Sequence, residues 1–313
     1  MHSVKFSILV PAFKTVFLED CLKSILSQTC QDFEVIIVDD ASPEDIKSVV
    51  DRFDDPKIKY SRNSTGFGAR EVVRNWNRCL ELADGEYVIC MGDDDELCPD
   101  CLEIYSRLIE RYPDLDVYHI RTRIIDDHGE VIGSQETRPE FESVYSAMWG
   151  RWHGRIQFIG DYLFRTSRLR HVGGFYYIPY AWGADDITSY VVAGQKGIAN
   201  AQEFGFRYRE SRHTISRDRE LALEKINSAR LCGEWYKSFL SMPPSDPAND
   251  PTWKSLCSEL DSFMHTFYLR HVREDIKRRP FKGCVYWLKH RKYYGIPFFK
   301  FASTAVRALT HRK

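Results

Sequence analysis

FEVIIVDDAS, residues 33–42, decides how the rest of the chain is read. Phe33-Glu34-Val35-Ile36-Ile37-Val38 is a short apolar run, the pattern of a buried strand, and it stops on Asp39-Asp40. Upstream, Phe6-Ser7-Ile8-Leu9-Val10 repeats the pattern and stops on Pro11. Between the two runs, Leu18, Cys21, Leu22, Ile25 and Leu26 recur at helical spacing. The unit is therefore strand, helix, strand, and its strands should be parallel. Downstream a short strand is expected at 58–60. A helix is expected over 66–83, with Val72, Val73, Trp76, Cys79, Leu80 and Ala83 on one face and Gly85 at its end. The strand that follows, over 86–91, runs straight into Asp93-Asp94-Asp95-Glu96. In open parallel sheets ligands gather at the carboxyl ends of the strands. Pro11, Asp39-Asp40 and the acid run all belong to such an edge.

Composition bounds the answer. At 313 residues and 43% hydrophobic content the chain can fill a proper core. Lys+Arg 44 against Asp+Glu 45 gives no overall basic bias, so no nucleic-acid partner is expected from whole-molecule electrostatics. Nine cysteines are an odd number thinly spread, and no secretory signal precedes the first strand; a reducing cytosol without disulfides is expected. No apolar run approaches the ~18 residues of a spanning helix. Beyond residue 100 the pattern predicts a helix over 101–111, strands near 116–125 and 130–136, an unassigned Gly/aromatic stretch at 149–183, and a helix over 185–196. Pro243-Pro244-Ser245-Asp246-Pro247 breaks the chain, and helical hairpins follow. The domain organisation is 1–217 and 218–313.

Adjacent aspartates need something positive, because like charges about 4 Å apart repel by roughly 1 kcal/mol in water and by more at a half-buried site. One reading of Asp93-Asp94-Asp95 is a solvated acidic turn. The other is a site for Mg²⁺ or Mn²⁺, which take one or two carboxylates and leave their other positions to water and phosphate. The place of these acids at a strand end, beside a second Asp pair, favours the cation. Thr65-Gly66-Phe67-Gly68 lacks both the third glycine of a dinucleotide fingerprint and the Lys of a phosphate loop. Cys98 and Cys101 have no second pair at ligand spacing and read as packing residues.

Taken together, SILVPAFK (7–14), FEVIIVDDAS (33–42), RNWNRCLELADGEYV (74–88), GDDDELCPD (92–100), HVGGF (171–175) and GADD (183–186) resemble the family 2 inverting glycosyltransferases, across about residues 5–215. The resemblance implies an α/β fold: a Rossmann-like, mainly parallel sheet of the type A nucleotide-diphospho-sugar kind, with a C-terminal helical extension. It places Asp40 on the nucleotide base, Pro11, Ala12 and Phe13 on base and ribose, and Asp94 and Asp95 at metal and nucleotide. Many relatives have an Asp where this chain has Gly92, so which two of Asp93, Asp94 and Asp95 touch the metal stays open. Asp186, in the Asp185-Asp186 pair, matches the general base, and burial beside Asp185 should raise its pKa; helix capping is the competing reading. Arg209 and His213, with Arg207, Tyr208 and Ser216, resemble a closing loop in which the His completes the metal shell and an Arg contacts the diphosphate. Trp76 reads as core, while the amides of Asn75 and Asn77 can reach the nucleotide. The aromatics Trp149, Trp152, His153, Phe158, Tyr176, Tyr177, Tyr180 and Trp182, with Asp185, are either the acceptor or donor-sugar region or core.

From Ile276 to Lys313 there is no acidic residue, while Lys and Arg alternate with aromatics. That suits an anionic membrane surface and also fits nucleic acid; the membrane is the expectation, with an oligomer contact or a plain solvated helix as alternatives. The expectation is a metal-dependent hexosyl- or hexosaminyltransferase, peripheral at the inner, cytoplasmic face of the membrane. It would move a sugar from a nucleotide-diphosphate donor, UDP favoured, to a hydroxyl of a surface glycan or lipid-linked acceptor. The rivals are a nucleotidyltransferase of related fold, which should carry a Gly-rich basic loop after the first strand, and a sugar-nucleotide-binding protein without turnover.

Overall fold

The computed structural model describes residues 4–211 and 222–310. In chain order its elements are β1 (Phe6–Ala12), α1 (Leu18–Leu26), β2 (Phe33–Asp39), α2 (Ile46–Val50), β3 (Ile58–Arg62), α3 (Val72–Leu82), β4 (Tyr87–Cys90), β5 (Glu96–Leu97), α4 (Cys101–Arg111), β6 (Val117–Ile125) and β7 (Val131–Ser134). There follow β8 (Phe141–Glu142), α5 (Val144–Trp152), β9 (Tyr162–Arg165), α6 (Thr166–His171), α7 (Ala184–Ala193) and β10 (Ile198–Arg209), then α8 (Ala222–Leu240), α9 (Asp250–Arg278), α10 (Pro280–His290) and α11 (Phe298–Thr310).

The described residues divide into two compact units. One holds residues up to Tyr177 together with Ala184–Ser211; the other holds Ile178–Gly183 together with the helices α8–α11. The boundary expected at 217/218 falls outside the described residues. All ten strands form one sheet in the first unit, in the order β3-β2-β1-β4-β9-β6-β10-β5, with β7 beside β6 and β8 beside β10. β1 runs parallel to β2 and β4, β2 to β3, and β6 to β10; β9 enters antiparallel between β4 and β6.

β2 is buried at every position and β1 at all but one, which is why both read as continuous apolar runs. Phe6, Ile8, Val10, Phe33, Val35 and Ile37 share one core with residues of α1, α2 and α4. α3 lies on β1 and β2, yet none of its buried residues belongs to that core, which puts it on the opposite face. Register pairs Ala12 with Asp39 and Leu9 with Cys90, so β1, β2 and β4 end along one edge of the sheet.

The unassigned stretch 149–183 resolves into the end of α5, then β9 and α6, with Ile178–Gly183 passing to the second unit. β10 was not apparent in the sequence. Its IANAQEFGFRYR is rich in residues with little preference for strands, and its twelve positions are ordered by pairing with β6 along most of its length. All nine cysteines are free. Among the described residues no helix is long and apolar enough to cross a membrane.

Candidate active site

Asp39 and Asp40 lie side by side at the end of β2 but serve different groups. Asp39 is buried and accepts from Tyr60 Oη (2.9 Å) and Ser42 N (2.8 Å), with Arg62 closing an ion pair. Asp40 accepts at Oδ1 from Asn63 Nδ2 (3.0 Å) and Phe67 N (2.8 Å), and at Oδ2 from Gly68 N (2.8 Å). A Cβ on Gly66 would stand 2.5 Å from the Asp40 carbonyl oxygen, so the chain passes Asp40 at a distance only glycine permits. Asn75 is buried, donating to Val38 O (3.0 Å) and accepting from Asn63 Nδ2 (2.9 Å). The first loop joins this edge directly: Asp40 N donates to Ala12 O (3.0 Å) and Ser42 Oγ to Phe13 O (2.6 Å), with the Phe13 ring exposed. Pro11, Ala12, Phe13, Asp40 and Asn75 are thus brought together. Asn77 is not part of the group; its amide joins α3 to Phe175, and Trp76 packs edge-on to that ring.

The acid run is a tight turn between β4 and β5. Asp93 Oδ2 accepts the backbone N–H groups of Phe13 (2.6 Å) and Lys14 (2.7 Å), tying the turn to the first loop. Asp95 accepts from Gly92 N at Oδ2 (3.2 Å) and from Arg209 N at Oδ1 (2.9 Å). Burial first, and the neighbouring Asp94 charge second, push Asp93 up to about 6 and Asp95 well above the ordinary carboxylate value, against the pull of those amides.

A Cβ on Gly92 would lie 2.7 Å from Asp94 Oδ1 and 3.0 Å from Asp95 Oδ2. Glycine therefore leaves a notch onto which two carboxylate oxygens converge. That donor set, oxygen only and short of a full shell, fits Mg²⁺ or Mn²⁺ sharing its remaining positions with water and diphosphate. No group of three or more His, Cys, Asp or Glu suited to a metal occurs among the described residues. His213, with Arg212 and Ser216, lies outside them.

Arg209 braces this turn from behind. It is buried, its Nε donates to Asp94 O (2.9 Å), its Nη1 to Asp126 O (2.8 Å), and its Nη2 pairs with Glu96, while its guanidinium lies 4.3 Å from the centre of the Phe17 ring. Every guanidinium nitrogen faces a protein acceptor. Arg207 pairs with the other oxygen of Glu96 (2.6 Å).

Asp185 and Asp186 stand in the first turn of α7, where the helix end favours negative charge. A short turn connects α7 to β10, and the helix packs on α5, β6 and β9. Asp186 is buried and takes three hydrogen bonds from two side chains. Arg151 Nε donates to Oδ1 (2.9 Å) and Oδ2 (3.1 Å), and Gln157 Nε2 to Oδ1 (2.6 Å). Behind Gln157, Tyr162 Oη donates to its Oε1 (2.8 Å), and Arg138 Nη1 donates to that hydroxyl (3.2 Å). Burial alone would pull Arg151 down, but Asp186 and Asp185 hold it above its ordinary value.

Asp185 is half-buried, and its pKa is raised to about 8, by burial first and by the Asp186 charge second. Arg151 and Gln157 escaped the sequence reading; the signal was two arginines and a glutamine in the otherwise aromatic stretch WGRWHGRIQ. Of the aromatics there, Trp149 and His153 stack on each other at 4.0 Å and Phe158 stacks on Tyr208 at 3.8 Å. Trp152 is half-buried on α5 beside Arg151. Trp182 belongs to the second unit, with Lys225 Nζ 4.1 Å from its ring centre.

Residues 7–173 match the family model described as glycosyl transferase family 2. The GalNAc(5)-diNAcBac-PP-undecaprenol beta-1,3-glucosyltransferase of Campylobacter jejuni is 43% identical over 96 residues, 30% of each chain. The matched segment spans about a third of the length of the curated relatives. Among solved structures, S. aureus TarS 1–349 in complex with UDP-GlcNAc superposes with a TM-score of 0.60 at 17% identity, over 98% of this chain and 92% of that one. A mannosyltransferase from Pyrobaculum calidifontis, in complex with GDP-Man and Mn²⁺, gives 0.55 at 15%, over 100% and 89%. At such identities the two structures speak for the fold: an α/β sheet of the type A kind with a helical C-terminal region.

Proposed function

The chain belongs to glycosyl transferase family 2, and on that premise we propose that it transfers a hexosyl or hexosaminyl group, with inversion, from a nucleotide-diphosphate sugar to a hydroxyl of a surface glycan or lipid-linked oligosaccharide. The observation that carries this reading is the Gly92–Asp95 turn, two carboxylate oxygens around a notch at a strand end, in a chain of this family. UDP is the favoured nucleotide, in keeping with the UDP-GlcNAc in the S. aureus structure. The acceptor class follows the lipid-linked saccharide in the name of the C. jejuni relative, and would put this protein at the inner face of a membrane as a peripheral enzyme.

In this mechanism Asp40, Asn75 and the Pro11–Phe13 loop hold the nucleoside. Asp94 and Asp95 would hold Mn²⁺ or Mg²⁺, which when bound neutralises charge on the leaving diphosphate. Asp93 keeps the turn docked on the first loop, and Arg209 keeps its far side fixed. The acceptor oxygen attacks the anomeric carbon as the bond from that carbon to the diphosphate oxygen breaks. The leaving nucleoside diphosphate keeps the electron pair, and the hydroxyl proton passes to a carboxylate.

The family resemblance assigns that proton to Asp186. We assign it to Asp185, because Asp186 is enclosed by Arg151 and Gln157, whereas Asp185 is reachable and has a pKa near 8, suited to a base at neutral pH. A panel of nucleotide sugars with Mn²⁺, read by release of the nucleoside diphosphate, tests the whole. Turnover of at least one member is expected, and the product anomer should be opposite to the donor's. A retained anomeric configuration, or nucleotidyl transfer in place of sugar transfer, would overturn it.

A further inference from the structure

The helices of the second unit present an apolar surface that the proposed reaction does not use. In α10, Gly283 and Trp287 point inward, and Trp287 Nε1 donates to the buried Asp275 carboxylate (2.7 Å), which also takes Arg279 Nε (2.7 Å) and Nη2 (2.9 Å). That anchor fixes which side of the helix faces out. On that side stand Phe281, Val285 and Leu288, at the spacing of a single helical stripe, with Phe281 82% exposed.

α11 repeats the arrangement. Phe301, Ala305 and Ala308 face inward, while Phe299, 69% exposed, Val306 and Leu309 lie outward. Helical spacing sets Lys282 and Lys289 along one flank of the first stripe, and Lys300 and Arg307 along the same flank of the second. Those four make no ion pair among the described residues, and no acid occurs after Asp275 to neutralise them. The outer face of a helix in water is normally polar; large apolar side chains in stripes there mark a surface meant to be covered. A charged rim of a single sign selects an occupant of the opposite sign.

We propose that the outward faces of α10 and α11 dock on an anionic lipid bilayer, the apolar stripes entering the headgroup boundary and the basic flanks meeting lipid phosphates. The docking rests on these two helices alone and stands or falls apart from the sugar-transfer reading.

The test is co-sedimentation of the full chain with vesicles of phosphatidylcholine containing phosphatidylglycerol, against vesicles of phosphatidylcholine alone. Wild type should bind the anionic vesicles, release them at high salt, and bind neutral ones at least about tenfold more weakly. The F281E/L288E variant and the K282E/K289E variant should each lose about tenfold or more of that binding, with circular dichroism and melting near wild type. Absence of vesicle binding, or equal binding by both variants, would overturn the proposal. So would a wild-type dimer that F281E/L288E converts to monomer without any vesicle binding, which would mean that a second copy covers the face. Retention by an RNA or DNA fragment in place of vesicles would be equally fatal to it.

Discussion

If Asp185 takes the acceptor proton, the pH dependence of turnover belongs to it and not to Asp186. The rise from an ordinary 3.8 to about 8 is worth roughly 6 kcal/mol at about 1.4 kcal/mol per pH unit. Burial is the larger cause and the Asp186 charge the second. A base must be deprotonated to act, so kcat/KM should climb with pH and level off above about 8. Asp185→Asn removes the base and should lower kcat/KM about 10²–10⁴-fold on the plateau above about pH 8, the deficit shrinking at lower pH as the wild-type base is protonated. Asp186→Asn leaves the burial but removes the like charge, and frees Arg151 to face Asp185; the limb should then fall by about 1–2 pH units while turnover persists.

The assay is nucleoside diphosphate release across about pH 5.5–9.5, which spans the limb and its plateau, with calorimetry of UDP and Mn²⁺ as a control that donor binding is intact. A dead Asp186→Asn beside an active Asp185→Asn with a normal limb would return the proton to Asp186 and refute the assignment. Stability supplies a second readout. The native state keeps a proton that the unfolded chain gives up near 3.8, so this group's contribution to stability declines as pH rises from about 4 to about 8. Asp185→Asn should flatten that decline, raising the melting temperature above pH 8 relative to wild type.

Gly92→Ala should melt near wild type, since the new Cβ meets only side-chain ends, yet should weaken Mn²⁺-dependent UDP binding about 10–100-fold by splaying Asp94 and Asp95. Asp94→Ala or Asp95→Ala should do the same; calorimetry showing unchanged affinity with Mn²⁺ present would dismiss the metal role. Arg209→Ala leaves Glu96 with Arg207 alone and takes the donor from two carbonyl oxygens, and should cost about 1–3 kcal/mol in urea unfolding. A cost under about 1 kcal/mol would show that the turn stands without its brace.

The first half of the sheet was legible because its signals are local. β1, β2 and β4 are buried so thoroughly that each is a short apolar block, and α1 and α3 carry their buried residues at helical spacing. The second half was not, because β9 and β10 are ordered by their neighbours. β10 in particular contains Ala, Asn, Gln and Gly and takes its extended form from β6. The acid turn was visible as an excess of charge at a strand end, and the loop at Pro11–Phe13 as its companion, yet the bonds joining them, from Phe13 N and Lys14 N to Asp93, span some 80 positions.

What sequence could not supply was the distribution of charge among adjacent acids. Asp93, Asp94 and Asp95 read as equals, but backbone amides take up Asp93 and Asp95 in part, and only the notch at Gly92 turns Asp94 and Asp95 toward a common point. The same holds for the second acid pair. Asp185 and Asp186 differ by one helical step of about 100°, and that rotation places Asp186 in direct hydrogen bonds with Arg151 and Gln157 while Asp185 stays half-buried, with Arg151 acting on it only as a nearby charge. A buried carboxylate that meets a guanidinium becomes an anchor, and one that meets mainly another carboxylate becomes a proton acceptor. The partners of Asp186 lie some thirty residues away in an aromatic stretch, which is why the motif could point to Asp186 as the base without showing what surrounds it.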